Sequence, residues 1–208
     1  MTFPKSITLG KTEKTQKKMK TTLALITHGF EEIEAVAPID LLRRANVQVT
    51  VAALGVAPDL LVRSRGGVAL RADVAFEKIA PKPTEFGELA EKYDALLLPG
   101  GPGSFDLRKD GRAVNLASEF AARGKIVAAI CAAPLILKSA GLLDGRRASA
   151  HSCAWSEIPA ANCAARVTRD GNIITSRGPA TAFDFGLALV TALCGNAVAE
   201  EIAGDTMA

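Results

Sequence analysis

The chain has 208 residues, of which 49% are hydrophobic and 23% charged, with 18 Gly and 10 Pro. This is an ordinary globular composition, and it excludes collagen, coiled coil and a disordered polymer. The formal charge of +3 is uneven: Met1–Lys20 holds six Lys against Glu13, so the remaining 188 residues sum to −2 and offer no basic nucleic-acid footprint.

Residues 1–20 are expected to form a basic disordered tail, with Met19 as an alternative start, ahead of a single domain over 21–208. The tail has neither the apolar core of a secretory signal nor the Arg-rich face of a transit peptide. The apolar run Ile126–Leu137 contains Pro134 and is too short to cross a bilayer, so no membrane association is expected. Cys131, Cys153, Cys163 and Cys194 have neither the density of a disulfide scaffold nor paired zinc spacing, which fits free thiols in a reducing cytoplasm.

The first regular element is Thr22–Thr27 (TLALIT), a near-continuous apolar run suited to a strand buried on both faces. A helical pattern over about Glu32–Ala45 and the alternating run Val47–Ala53 follow, completing a βαβ unit. Leu60–Arg71, with Gly66-Gly67 at its centre, predicts a hairpin. A second buried strand, Ala95–Leu98, runs into the loop Pro99–Ser104, and a helix is expected over Ala113–Arg123. A third strand, Ile126–Ile130, ends at Cys131. Beyond it come a short helix at Leu135–Ala140 with Gly141 as C-cap, and a hairpin over Ala165–Ser176 turning at Asp170-Gly171. Thr181–Asp184 resembles a capping box for a last helix ending near Leu193. The alternation predicts an α/β fold, a three-layer α/β/α sandwich on a mainly parallel sheet.

In such a sheet, ligands bind outside the carboxyl ends of the strands. Cys131 lies there, between the strand IVAAI and the small-residue turn AAP, in the arrangement of a nucleophile elbow. Amides at the start of the following helix are expected to lower its thiol pKa. A buried Cys serving as a small hydrophobe is the plainer alternative. The Gly-rich loop lacks the residues of a P-loop or a dinucleotide fingerprint. Glu34 lies on an apolar stripe with Ala37, Pro38 and Leu41, where a carboxyl needs a reason. Beside a thiolate it would be pushed towards its neutral form. Glu32 has almost as apolar a face, so spacing alone does not choose between them. His151 is a candidate acid/base partner of Cys131. Two His without paired Cys argue against a metal site.

In order and spacing, the segments LITHGFEEIEAVAPIDLLRRA, ALLLPGG, KIVAAICAAP, RASAH and DGNIITSRGPATAFDFGLALV resemble the ThiJ/PfpI superfamily, most closely its DJ-one branch. The resemblance implies a flavodoxin-like sandwich, related to class I glutamine amidotransferases, that forms a homodimer. It places Glu34 at the family's buried glutamate, Cys131 at its reactive cysteine and His151 near that cysteine. Gly101 and Ala132 match the backbone amides that face the sulfur, and Arg44 and Arg65 resemble positions near a dimer-side anion pocket. Ala132 departs from the protease-like and heat-shock branches, which carry His directly after the nucleophile. Neither His is followed two residues on by Glu, as an amidotransferase requires. The expected activity is cofactor-independent, glyoxalase- or deglycase-type chemistry on a small reactive 2-oxoaldehyde or a glycated substrate. The alternative is an oxidation sensor or redox-regulated chaperone acting through Cys131.

Overall fold

The computed structural model describes residues 19–56, 58–161 and 163–208. The expected tail therefore lies outside the described residues, apart from Met19 and Lys20. β1 (Thr21–Ile26) is buried from Thr22 onward, as its apolar run requires. It is followed by α1 (Glu32–Arg44) and by β2 (Gln48–Ala53), which pairs in parallel with all six residues of β1. β3 (Leu61–Arg63) and β4 (Ala69–Arg71) form the predicted hairpin as a separate two-stranded sheet. β5 (Val74–Ala75), α2 (Phe76–Ile79) and α3 (Phe86–Lys92) then lead into β6 (Ala95–Leu98).

The chain continues through α4 (Gly103–Asp110), α5 (Arg112–Ala122), β7 (Ile126–Ile130) and α6 (Pro134–Ser139). It closes with β8 (Val167–Asp170), β9 (Ile173–Ser176), α7 (Ala182–Cys194) and α8 (Asn196–Asp205). The large sheet has the order β5-β2-β1-β6-β7-β9-β8, and only the β8–β9 pairing is antiparallel.

Alternating side chains divide the core between the two faces of the sheet. Leu23, Leu25, Leu96 and Leu98 pack with α2 to α6 through Phe76, Phe86, Leu107, Phe120 and Leu135. Ala24, Ile26, Leu97 and Ile130 pack with α1, α7 and α8 through Leu41, Leu42, Phe185, Leu189 and Ile202. The α/β/α sandwich is thus the observed fold. Gly186 sets the spacing of the α1–α7 pair: a Cβ there would stand 2.6 Å from Leu41 Cδ1 and 3.0 Å from Pro38 Cα.

The connections place the site. The chain moves outward from β1 to β2 and β5, then returns to the other side of β1 as β6, so the strand order reverses between β1 and β6. The carboxyl ends of these two strands and of β7 make the crevice where α/β sheets bind ligands.

Candidate active site

At that reversal the β1–α1 loop and the β6–α4 loop are tied together. The Glu31 amide donates to Gly100 O at 3.0 Å, and the Gly103 amide donates to Gly29 O at 3.0 Å. Only glycine allows this approach. Gly101 has a φ of +85°, and a Cβ on it would meet Gly29 O at 2.5 Å. A Cβ on Gly100 would lie 2.6 Å from Glu34 Oε2 and 2.7 Å from Cys131 Cβ. The run Pro99–Ser104 is therefore the close wall of a site formed by Glu34 and Cys131, and α4 already begins inside it.

Glu31 caps α1, accepting the Glu34 amide at its Oε2 at 2.8 Å. Glu34, one turn in, is completely buried, and its Oε2 accepts the Gly100 amide at 2.9 Å. Its Oε1 is buried with no hydrogen bond of ordinary length and angle. The Cys131 thiol is the group that approaches this carboxyl, and as a weak donor it satisfies it only in part. Burial pushes the Glu34 pKa up, and the Glu31 charge adds to this. The Cys131 thiol, the Gly100 amide and the positive charge of Arg65 pull it down, leaving it at about 7.

Cys131 follows the last residue of β7 and has a φ of +66°, the left-handed region that costs an L-residue about 1 kcal/mol or more. Its own hydrogen bonds hold it there. The Cys131 amide donates to Ser176 O at 3.0 Å, and the His151 amide donates to Cys131 O at 2.9 Å. The side chain is half-buried.

The sequence predicts a lowered thiol pKa, and the structure reverses the sign. Burial raises it first, and the Glu34 carboxylate raises it further by charge and by accepting a hydrogen bond from the thiol. The Gly101 and Ala132 amides favour the thiolate, as expected, but are outweighed. With Glu34 neutral its charge no longer opposes the thiolate, so the pair favours a single negative charge.

The His151 ring is exposed. Its Nδ1 accepts the Cys153 amide at 3.2 Å, which leaves Nε2 to carry the proton of the neutral ring. A Cβ on Gly178 would stand 3.8 Å from Glu34 Oε1 and 3.9 Å from His151 Cδ2, so Gly178 lies between carboxyl and imidazole. Arg65 is held at the rim by its amide, which donates to Phe30 O at 2.8 Å. Arg44 is not brought to the thiol. It lies ten residues beyond Glu34 on α1, about 15 Å along the axis, and pairs with Asp40 at 2.7 Å. Among the described residues, no group of three or more His, Cys, Asp or Glu is placed to hold a metal ion. Sequence reasoning missed Gly100, Glu31 as a cap, and Gly178. Of these only the Glu31 cap left a trace, as an acid at the start of a helical pattern.

A family model described as the DJ-1/PfpI family matches residues 20–192. The chain belongs to the DJ-1/PfpI family. Within that family it is 35% identical over 188 residues to the Parkinson disease protein 7 homolog of Danio rerio, covering 88% of this chain and 94% of that protein. It is 32% identical over 161 residues to Deglycase PH1704 of Pyrococcus horikoshii, covering 76% and 90%. Protein DJ-1 homolog A of Arabidopsis thaliana is 36% identical over 189 residues, 88% of this chain but 45% of that protein, so the chain spans about half its length. The solved structure of oxidized Toxoplasma gondii DJ-1 superposes with a TM-score of 0.78 at 34% identity, covering 90% of this chain and 98% of that one. No helix among the described residues is long and apolar enough to cross a membrane.

Proposed function

We propose that this DJ-1/PfpI member isomerises and hydrates small 2-oxoaldehydes, methylglyoxal to lactate, with Cys131 as nucleophile and Glu34 as proton carrier. Early glycation adducts of the same aldehydes would enter the same chemistry. The observation that carries the proposal is the contact of a strained, half-buried thiol with a buried carboxyl whose pKa stands at about 7. A carboxyl poised there both takes and returns a proton at neutral pH. The name of the Pyrococcus horikoshii relative, a deglycase, points the same way.

Glu34 carboxylate takes the thiol proton as sulfur adds to the aldehyde carbon. The Gly101 and Ala132 amides hold the resulting oxyanion, which receives the proton from Glu34 to give the hemithioacetal. Glu34 then removes the hydrogen from that carbon, giving an enediol, and reprotonates the neighbouring carbon. The product is a thioester of lactate, which water hydrolyses, regenerating the thiol. The aldehyde carbon is oxidised and the ketone carbon reduced within one molecule, so no external redox partner is needed. The exposed His151 ring, whose Nδ1 is taken by the Cys153 amide, would assist the oxygen-bound proton transfers through Nε2. Replacing Cys131 with Ser is expected to abolish lactate formation, by at least ~1,000-fold. Undiminished turnover would remove Cys131 from the chemistry.

A second reading is favoured by the oxidized state of the Toxoplasma gondii relative. Oxidised to a sulfinate by a peroxide, Cys131 would accept a hydrogen bond from neutral Glu34 through the oxygen that now lacks one. Intact mass after mild peroxide, compared with a Cys131→Ala variant, separates this from oxidation spread over all four thiols.

Exposed apolar side chains support a homodimer. Ile33 and Val36 on α1 are 52% and 48% exposed, and Leu61 and Val68 of the adjoining hairpin are 44% and 53% exposed. The Gly66 amide of that hairpin donates to Glu32 Oε2 at 3.4 Å, which keeps the two surfaces side by side. An anion pocket involving Arg44 would then be completed across that interface.

A further inference from the structure

Gly178, which faces Glu34 Oε1, also lines a cavity of about 460 Å³ together with His151, Trp155, Arg166, Arg177 and Pro179. Of these residues, the proposed catalysis of a small neutral aldehyde uses only His151. Its two cations differ. Arg166 is occupied, with its Nε 2.5 Å from Asp184 Oδ2 and its Nη2 donating to Ala180 O at 2.5 Å. Arg177 is half-buried, and among the described residues its guanidinium makes neither a hydrogen bond nor an ion pair. A partly desolvated guanidinium with all its donors free is arranged to meet a carboxylate or phosphate.

The backbone connects it to the reaction. Arg177 directly follows Ser176, whose carbonyl accepts the Cys131 amide. Gly178, next along, has no side chain to obstruct the way from Glu34 Oε1 to the His151 ring. Its φ of 162° is extended backbone that any residue adopts, so conformation does not demand glycine there. What a side chain would take is the space between the carboxyl and the cavity.

We propose that this cavity is a specificity subsite for the anionic tail of a 2-oxoaldehyde, with Arg177 receiving a carboxylate while a short apolar spacer lies along Trp155 and Pro179. The inference rests on the Cys131 chemistry proposed above. The favoured substrate class is a 2-oxoaldehyde carrying a carboxylate a few carbons from the ketone. 4,5-Dioxopentanoate is the simplest probe: hemithioacetal formation, the proton shift and thioester hydrolysis convert it with one water to 2-hydroxyglutarate.

Two measurements test the subsite independently of each other. In the first, kcat/KM is compared for 4,5-dioxopentanoate and methylglyoxal. The ratio is expected to exceed about ten, to fall about tenfold or more in Arg177→Met, and to be partly kept in Arg177→Lys, which retains the charge but not the fork. An equal ratio in the wild type and Arg177→Met overturns the proposal. In the second, 4-oxopentanoate, which has no aldehyde, is tested for slowing alkylation of Cys131 by iodoacetamide. Protection in the wild type that weakens about tenfold in Arg177→Met supports the subsite even if neither aldehyde is turned over, in which case it is the proposed reaction that fails. Protection equal in both proteins, or absent from both, overturns the subsite.

Discussion

Two carboxylates sit at opposite ends of the β1–β6 pair, and their environments differ in sign. At the amino end, Asp94 accepts from the Thr21 amide at 3.0 Å, the Thr21 hydroxyl at 3.2 Å and Lys20 Nζ at 3.3 Å. Burial pushes its pKa up, but the Thr21 amide and Lys20 outweigh it, and the group titrates below its ordinary value. At the carboxyl end, Glu34 has one amide, a weak thiol donor and an oxygen with no well-formed bond, and its pKa stands at about 7. The same strands therefore hold one acid in its charged form and another pushed towards its neutral form. The difference lies in burial and in the donors supplied together: Glu34 is completely buried and poorly provided, whereas Asp94 is only part-buried and has three donors, one of them charged.

The comparison can be broken most forcefully at Glu34. A folded pKa raised above the unfolded value means that the ionised form is penalised in the native state. Stability is then full at low pH and lost as pH rises through about 7. The loss amounts to about 3 kcal/mol on the alkaline side. Glu34→Gln is expected to abolish turnover and also to raise the thermal midpoint at pH 8 relative to wild type, with the gain shrinking towards pH 5. Parallel pH profiles for the two proteins would show that the carboxyl is not penalised.

Gly100→Ala comes next. Its Cβ would press on Glu34 Oε2, Cys131 Cβ and, at 2.8 Å, Ile130 O, of which the last is backbone and cannot step aside. A loss of about 1–3 kcal/mol is expected, together with slower alkylation of Cys131. Unchanged stability and thiol reactivity would mean that the two loops are not as closely apposed as described. Asp94→Asn is the smallest and has the opposite pH dependence. A lowered folded pKa stabilises above the ordinary aspartate range and stops doing so as pH falls through the folded value. The substitution is expected to cost about 1 kcal/mol at pH 7 and progressively less below pH ~4, read from denaturant midpoints at both pH values.

The strands that carry the site were legible because each is an uninterrupted apolar run: the expected bounds of β6 and β7 coincide with the observed ones, and β1 is displaced by one residue. Cys131 and Glu34 could be singled out because a thiol at a strand end and a carboxyl on an apolar stripe both break the local pattern. What stayed hidden depends on contacts distant in sequence. The thiol pKa has the reverse of the expected sign because the amides near Cys131 are local, whereas the burial and the carboxylate that outweigh them are not. The capping box expected at Thr181 does not form, because its hydroxyl lies 2.6 Å from Ser176 Oγ and accepts the Gly178 amide at 3.1 Å. α4 starts within a Gly-rich stretch that reads as a turn, and α2, α3, α8 and the short β5 gave too little periodicity to be anticipated.

The seat of α1 on Gly186 has one last implication. Pro38, which the glycine admits at van der Waals range, is a single helical turn beyond Glu34. Any bulk beneath that turn would tilt the helix and swing the acid off the sulfur without altering one atom of the reaction centre. If Cys131 and Glu34 react as proposed, thiol reactivity would gauge how two helices rest on each other, and variants scattered along their seam are expected to weaken the chemistry while every side chain that carries it is still present.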